Sequence, residues 1–192
     1  LAGHKAGAVE DYEAGVQSRV PGDYELAVSI EPEPLGTGGA LLNAAYQLSE
    51  TFLLLNGDTW FDFNWLDLLR IADGRSAVAA RKVAQAGRYE TLRIAENGAV
   101  SGISSRVEGS GSGLVNGGVS VLRKSDLTNF PSRFSIESSL LPRLISEGRL
   151  RGRAYEGFFL DIGIPETFEA AQEEVPAQRS RPAVFFDRDG VL

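Results

Sequence analysis

The sequence predicts an α/β domain with its ligand site at strand ends, and three observations predict it. Phe52-Leu53-Leu54-Leu55 is an apolar run too short for a helix with its own core and bounded by polar residues, so it reads as a strand buried on both faces. That run stops at Asn56-Gly57-Asp58, a tight turn at the strand's carboxyl end, where open parallel sheets place ligands; Asp58 is the first side chain there able to hold a cation. Residues 157–165, GFFLDIGIP, repeat the design with an apolar run, the acid Asp161 and a glycine.

The other elements follow from local patterns. Residues 1–3 read as the tail of a strand. Residues 5–15 place Ala6, Val9, Tyr12 and Ala14 among acids, an amphipathic helix ending at Gly15. His4, the only histidine, stands at a loop-to-helix step and reads as a surface or capping residue rather than a ligand. Pro21-Gly22-Asp23 is a turn, and residues 24–30 alternate as a strand. In residues 31–42, EPEPLGTGGALL, two prolines keep Glu31 and Glu33 extended. Gly36, Gly38 and Gly39 permit close approach to the main chain, and Thr37 is placed to cap a helix with the stripe Ala40, Leu41, Ala44, Ala45 and Leu48. This segment suits an anion or a flat base at a helix N-terminus, and equally a plain tight turn.

Residues 60–65 carry four aromatics that read as core beside a buried strand. Asn64 caps a helix over 65–72, with Asp67 near its positive end. Residues 76–83 are another buried strand. Glu96-Asn97-Gly98, between the alternating runs 89–95 and 99–103, signals a hairpin. Residues 104–113 form a polar, glycine-rich loop; residues 114–122, LVNGGVSVL, form a strand whose glycine pair implies close approach of a ligand or another backbone. Ser135 opens a helix that Gly148 ends, and Pro165 starts a helix over 166–174.

Composition narrows the function. With 192 residues, 43% hydrophobic and 23% charged, the chain can bury a core of one domain, or of one plus a fragment. A net charge of −7 and a pI near 4.8 argue against a nucleic-acid partner, which would need clustered Lys and Arg. Any phosphate must then be handled locally, with a metal. The absence of cysteine rules out disulfides and thiolate metal sites and matches a reducing, cytoplasmic setting. No apolar stretch approaches the roughly 18 residues of a membrane span, so no membrane partner is expected, and no signal peptide is visible. The chain starts at Leu1, contains no methionine and closes on AVFFDRDGVL, which suggests the middle of a longer protein. Asp58 and Asp161, brought together at strand ends, would suit one Mg2+ that also binds substrate phosphate oxygens; alternatively each acid caps its own turn.

Taken in order, PLGTGGAL, LLLNGDTWFDF, GLVNGGVSVL, FSIESSLLPRL and FFLDIGIPETFEAAQ resemble the sugar-1-phosphate nucleotidyltransferase family over residues 1–175, nearest the heptose and mannose 1-phosphate guanylyltransferases. The resemblance implies a three-layer, Rossmann-like α/β fold with a mixed, mostly parallel sheet, here without its first strand and phosphate-gripping loop. It implies that Asp58 and Asp161 are the Mg2+ ligands; that Gly36, Thr37 and Gly38 meet the nucleotide; and that Asn116, Gly117 and Gly118 lie against the sugar phosphate. The substrates would be a nucleoside triphosphate, GTP favoured, and a sugar 1-phosphate. Two positions depart from the family pattern: Tyr89-Glu90 stands where Tyr-Gly is usual at the sugar, and Ser105-Arg106 where Glu-Lys is usual. Arg106 can still pair with a phosphate. Without the gripping loop, the isolated chain is expected to be a very weak catalyst.

Residues 183–192 read as a buried strand followed by an acidic turn, or, by their D-x-D-G-V-L run, are similar to the first strand and motif of haloacid-dehalogenase-type phosphatases, in which Asp187 would be the nucleophile and Asp189 the general acid/base. Residues 176–182 would be the linker from the transferase domain, and the whole resembles bifunctional proteins of nucleotide-heptose synthesis. A non-catalytic nucleotide-sugar binding or regulatory module on the same fold is the alternative. The residues do not speak to oligomeric state.

Overall fold

The computed structural model describes residues 1–3, 5–17, 25–87, 89–104 and 111–179. His4, the turn at 21–23, Tyr24, Arg106, Asp187 and Asp189 lie outside the described residues, as does the whole 183–192 segment. The elements are α1 (Ala6–Gln17), α2 (Gly36–Asn43), β1 (Thr51–Leu55), β2 (Thr59–Phe61), α3 (Trp65–Ala72), β3 (Ser76–Val83), β4 (Thr91–Ile94), β5 (Val100–Ser104), β6 (Gly113–Arg123), α4 (Leu141–Ser146), β7 (Leu150–Ala154), β8 (Phe159–Asp161) and α5 (Pro165–Arg179). A 3-10 turn (Lys124–Leu127) follows β6, and a π-helical turn (Ile136–Leu140) runs into α4.

Six strands form one mixed sheet in the order β5-β4-β6-β3-β7, with β1 also paired to β6. β1, β3 and β4 each run antiparallel to β6, β7 runs parallel to β3, and β5 runs antiparallel to β4. Four strands therefore share one direction, but the expected mostly parallel pairing is not found: the sheet is mixed, and most of its ladders are antiparallel because the reversed strand β6 pairs with three of those four.

β3 shows how the layers form. Its alternation sends Val78 and Ala80 to one face and Ala77 and Ala79 to the other, and all four are buried. The first face packs against Leu41 of α2, Phe134, Ile136 and α4; the second packs against Leu68 and Ala72 of α3 and Phe61 of β2. The domain thus has three layers, as the resemblance implied.

Local chemistry accounts for most element ends. Asn64 Oδ1 accepts from Leu66 N at 3.1 Å, so α3 starts as expected. At the β4–β5 hairpin, Gly98 takes φ +80° and its N–H donates to Ala95 O at 2.8 Å. The π turn precedes Pro142, which has no N–H and would crowd the carbonyl four residues earlier; Leu140 N reaches back to Ser135 O at 3.4 Å.

Several expectations need correction. α1 runs past Gly15 to Gln17. The strand expected at 24–30 is reduced, in its described part, to a single parallel bridge between Ile30 and Ala2. α2 begins at Gly36 and stops at Asn43, and Thr37 is not its cap; Leu35 holds that position without a side-chain bond. β1 is half-buried rather than buried on both faces, since among the described residues only β6 pairs with it. β7 was not anticipated, because Arg151 and Arg153 hide its alternation of Leu150, Gly152 and Ala154. α5 extends to Arg179 and carries Pro176 inside it, so 176–179 of the expected linker are helical. No described helix is long and apolar enough to cross a membrane.

Candidate active site

β1 delivers the chain to Asn56-Gly57-Asp58 at the carboxyl end of the sheet, and Asn56 N donates to Gly118 O at 2.8 Å across to β6. The chain then forms β2, which pairs not with the main sheet but antiparallel with β8 in a two-stranded ribbon. GFFLDIGIP is therefore no second central strand; three of its residues are one leg of that ribbon. Thr59 stands opposite Asp161 in the register, and Ile162 N donates to Asp58 O at 2.8 Å. Two acids far apart in sequence are held at one corner by main-chain bonds.

Both side chains approach Gly163. A Cβ built there would stand 3.0 Å from Asp161 Oδ1 and 3.8 Å from Asp58 Oδ2. Asp161 Oδ1 accepts from Gly163 N at 2.9 Å, Asp161 Oδ2 accepts from the Tyr89 hydroxyl at 2.8 Å, and Asp58 Oδ1 accepts from Thr59 Oγ1 at 3.3 Å. Asp58 is exposed and Asp161 half-buried, so the corner opens to solvent. Among the described residues no group of three or more His, Cys, Asp or Glu stands together. Two carboxylates beside a glycine that leaves the space clear fit Mg2+, which binds through one or two carboxylates and completes its octahedron with phosphate oxygens and water.

The ribbon is seated by the glycine pair of β6. A Cβ at Gly117 would lie 2.6 Å from two ring carbons of Phe61 and 3.1 Å from Ala79 O; at Gly118, φ +74°, it would lie 3.1 Å from Thr59 Cβ and 3.2 Å from Asn56 Cβ. The close approach that the pair implied is made by the ribbon and its turn. Phe61 in turn packs on Phe63 and edge-on to Phe159, with ring centroids 4.7 and 5.3 Å apart, and Phe63 stacks on Tyr155 at 4.3 Å. Asn116 sits opposite Ala80 of β3, and its Oδ1 accepts from Gly118 N at 3.1 Å. Glu90 follows Tyr89 in the loop from β3 to β4.

The glycine-rich first turn of α2 is packed against protein as well. Gly38 N and Gly39 N donate to Phe134 O at 3.0 and 3.3 Å, and a Cβ at Gly38 would meet the Phe134 ring at 2.2 Å. Thr37 Oγ1 donates to Glu137 Oε2 at 2.7 Å and accepts from Ile136 N at 2.9 Å, while Ser135 Oγ donates to the same Glu137 oxygen. Packing on Phe134 accounts for these glycines, and these hydrogen bonds of the segment run to residues 134–137.

Two polar clusters brace the scaffold. Asp67 receives Arg70, Arg153 and the Tyr155 hydroxyl at 2.7 to 2.8 Å, tying α3 to β7. The Arg70 and Tyr155 hydrogen bonds hold its carboxyl down to about 2, and burial together with Asp67 pushes the Tyr155 phenol up. Asp126, buried, accepts Ser76 Oγ at 2.6 Å and pairs with Arg149, while Arg143 bonds its carbonyl and lies 4.1 Å over the Phe130 ring.

Sequence reasoning placed Asp58 and Asp161 as site candidates but did not assign Tyr89 to either acid. The phenol reaches Asp161 only because the loop folds back, and no local pattern signals that.

No protein-family model matches the chain. D-glycero-alpha-D-manno-heptose 1-phosphate guanylyltransferase of Campylobacter jejuni is 32% identical over 148 residues, 75% of this chain and 65% of that protein. The protein of the same name from Aneurinibacillus thermoaerophilus is 28% identical over 156 residues, 77% and 66% of the two chains. The mannose-1-phosphate guanylyltransferase catalytic subunit beta of Drosophila melanogaster is 30% identical over 151 residues, 75% and 41%. Crystallised HddC from Yersinia pseudotuberculosis, complexed with GMP-PN, superposes with a TM-score of 0.76 at 29% identity, covering 90% of this chain and 76% of HddC. The chain thus has sugar-1-phosphate guanylyltransferases as homologues and shares the α/β fold of HddC. It spans just under two thirds of the length of the two heptose enzymes and less than half of the mannose enzyme.

Proposed function

We propose that this chain carries the nucleotidyl-transfer site of a sugar-1-phosphate guanylyltransferase, making a nucleotide-sugar and pyrophosphate from GTP and a sugar 1-phosphate. The observation that carries the proposal is that Asp58 and Asp161 each bring a carboxylate oxygen within 4 Å of a Cβ built at Gly163, in a chain related to guanylyltransferases. Heptose 1-phosphate is the favoured acceptor and mannose 1-phosphate the second, following the names of the relatives.

In the proposed reaction a phosphate oxygen of the sugar 1-phosphate attacks the α-phosphorus in line. That bond forms as the bond to the β-phosphate oxygen breaks and pyrophosphate leaves with the electron pair. Bound Mg2+ would supply charge neutralisation on the phosphate oxygens. Asp58 and Asp161 would hold it, and the main-chain bond between Ile162 and Asp58 keeps their corner from spreading. Gly36, Thr37 and Gly38 are proposed for the nucleotide, with Thr37 already oriented by Glu137; Glu90, Arg106, Asn116, Gly117 and Gly118 are proposed for the sugar phosphate.

Titrating the full-length protein that contains this sequence with GTP, ATP, CTP and UTP, each with Mg2+ and either sugar 1-phosphate, tests the reading. The expected result is pyrophosphate release with GTP, lost by a hundredfold or more in Asp161→Asn, since charge and position supply most of such catalysis. Nucleotide binding without pyrophosphate release under every combination would favour the non-catalytic binding module.

A phosphatase activity of the full-length protein is proposed from the sequence motif at Asp187 and Asp189 alone. Absence of phosphate release from heptose 1,7-bisphosphate would refute it.

A further inference from the structure

We propose that Tyr89 is a positioning residue for the Asp161 carboxylate, and that the loop joining β3 to β4 thereby sets the geometry of the cation corner; this rests on the metal role proposed for Asp161. The Tyr89 hydroxyl donates to Asp161 Oδ2 at 2.8 Å from 72 residues away. Gly163 N holds the other oxygen at 2.9 Å. These two donors act on different oxygens and so orient the carboxylate plane from both sides, with Oδ1 on the Gly163 side that Asp58 Oδ2 also approaches. A carboxylate fixed before the cation arrives binds it without the cost of ordering the side chain, which is the usual effect of an outer hydrogen-bond partner.

The phenol is itself anchored. Tyr89 N donates to Ala86 O at 2.9 Å, closing a turn, and Ala86 N donates to Gly111 O at 3.0 Å. Ala86 is buried, and its methyl would lie 3.0 Å from a Cβ at Gly113, the first residue of β6. The turn is thus pinned to the start of the strand whose glycine pair seats the ribbon. Tyr89 and the ribbon that carries Asp161 belong to different elements, and both are referenced to β6.

Tyr89→Phe removes the hydroxyl and keeps the ring. Crystal structures of wild-type chain and variant without metal read the position of Asp161 directly. The expected result is that the carboxylate turns away from the Gly163 N–H or becomes split between conformers; an unmoved carboxylate overturns the proposal. Titration of both proteins and of Asp161→Asn with Mn2+ alone, followed by the electron paramagnetic resonance signal of free Mn2+, gives a second readout. Tyr89→Phe is expected to weaken Mn2+ binding roughly tenfold or more, with thermal midpoints close to wild type. Loss of binding in Asp161→Asn alongside wild-type affinity in Tyr89→Phe overturns the positioning role and leaves the metal role standing. Equal binding by wild type and Asp161→Asn, or no saturable binding by wild type, refutes the metal role, and the crystal structures then decide the positioning claim alone.

Discussion

Replacing Gly117 by alanine tests whether the glycine pair of β6 exists to seat the ribbon that carries the two acids. The added Cβ would lie 2.6 Å from Cδ1 and Cε1 of Phe61 and 3.1 Å from Ala79 O. Carbon atoms in contact settle at about 3.5–4.0 Å, so Phe61 must retreat by roughly 1 Å. It has little room, since it is 4% exposed and packed between Phe63 and Phe159. Gly117 has no positive φ, so alanine costs nothing in backbone conformation and the effect isolates the steric term. Overpacking of this kind costs about 1–3 kcal/mol, read as a lower urea midpoint at unchanged slope. Phe61 lies on the same three-residue strand as Thr59, next to Asp58, so the displacement is passed to the acids. A shift of that size at a reacting centre costs about a hundredfold in kcat/KM. Truncating the ring in a Gly117→Ala, Phe61→Leu double variant makes room, and the pair should be less destabilised than the sum of the two single changes. A Gly117→Ala protein with wild-type stability, or strictly additive single and double variants, would refute the packing account.

Two further outcomes concern the scaffold. Asp126→Ala leaves the buried Ser76 hydroxyl without its acceptor while Arg149, 41% exposed, can turn to water; the expected loss is about 2–4 kcal/mol, below that of a fully buried pair broken on one side, and an unfolding free energy within about 0.5 kcal/mol of wild type would contradict it. Asp67 has a folded pKa of about 2 against an ordinary 3.8. Its carboxylate therefore contributes stability that is complete above about pH 4 and lost as pH falls toward 2. Urea midpoints of wild type and Asp67→Asn should differ at pH 7 and converge near pH 2, and a constant gap across that range would exclude the linkage.

How much of this was legible in the sequence follows from the range of the forces involved. The Asn64 cap of α3, the Asn97-Gly98 hairpin and the apolar run of β3 depend on residues within a turn or a few positions of each other, and a linear reading finds them. Asp58 and Asp161 were legible as candidates because each follows an apolar run and precedes or follows a glycine. β7 was not, since two arginines break its pattern and its ladder with distant β3 makes it a strand. α5 outran its expected end because Pro176 and the polar residues after it look like linker until the helix continues through them to Arg179.

The amino-acid order alone therefore determined the class of the domain, most of its elements and the identity of the two acids, since these rest on periodicity and on chemistry local to a turn. Tertiary structure alone decided that β8 leaves the main sheet to pair with β2, that Phe61 and Phe134 dictate glycines at 117 and 38, and that Tyr89 reaches Asp161. Each of these is a close approach between segments distant along the chain, and close approach is set by how faces pack, which no neighbouring residue records.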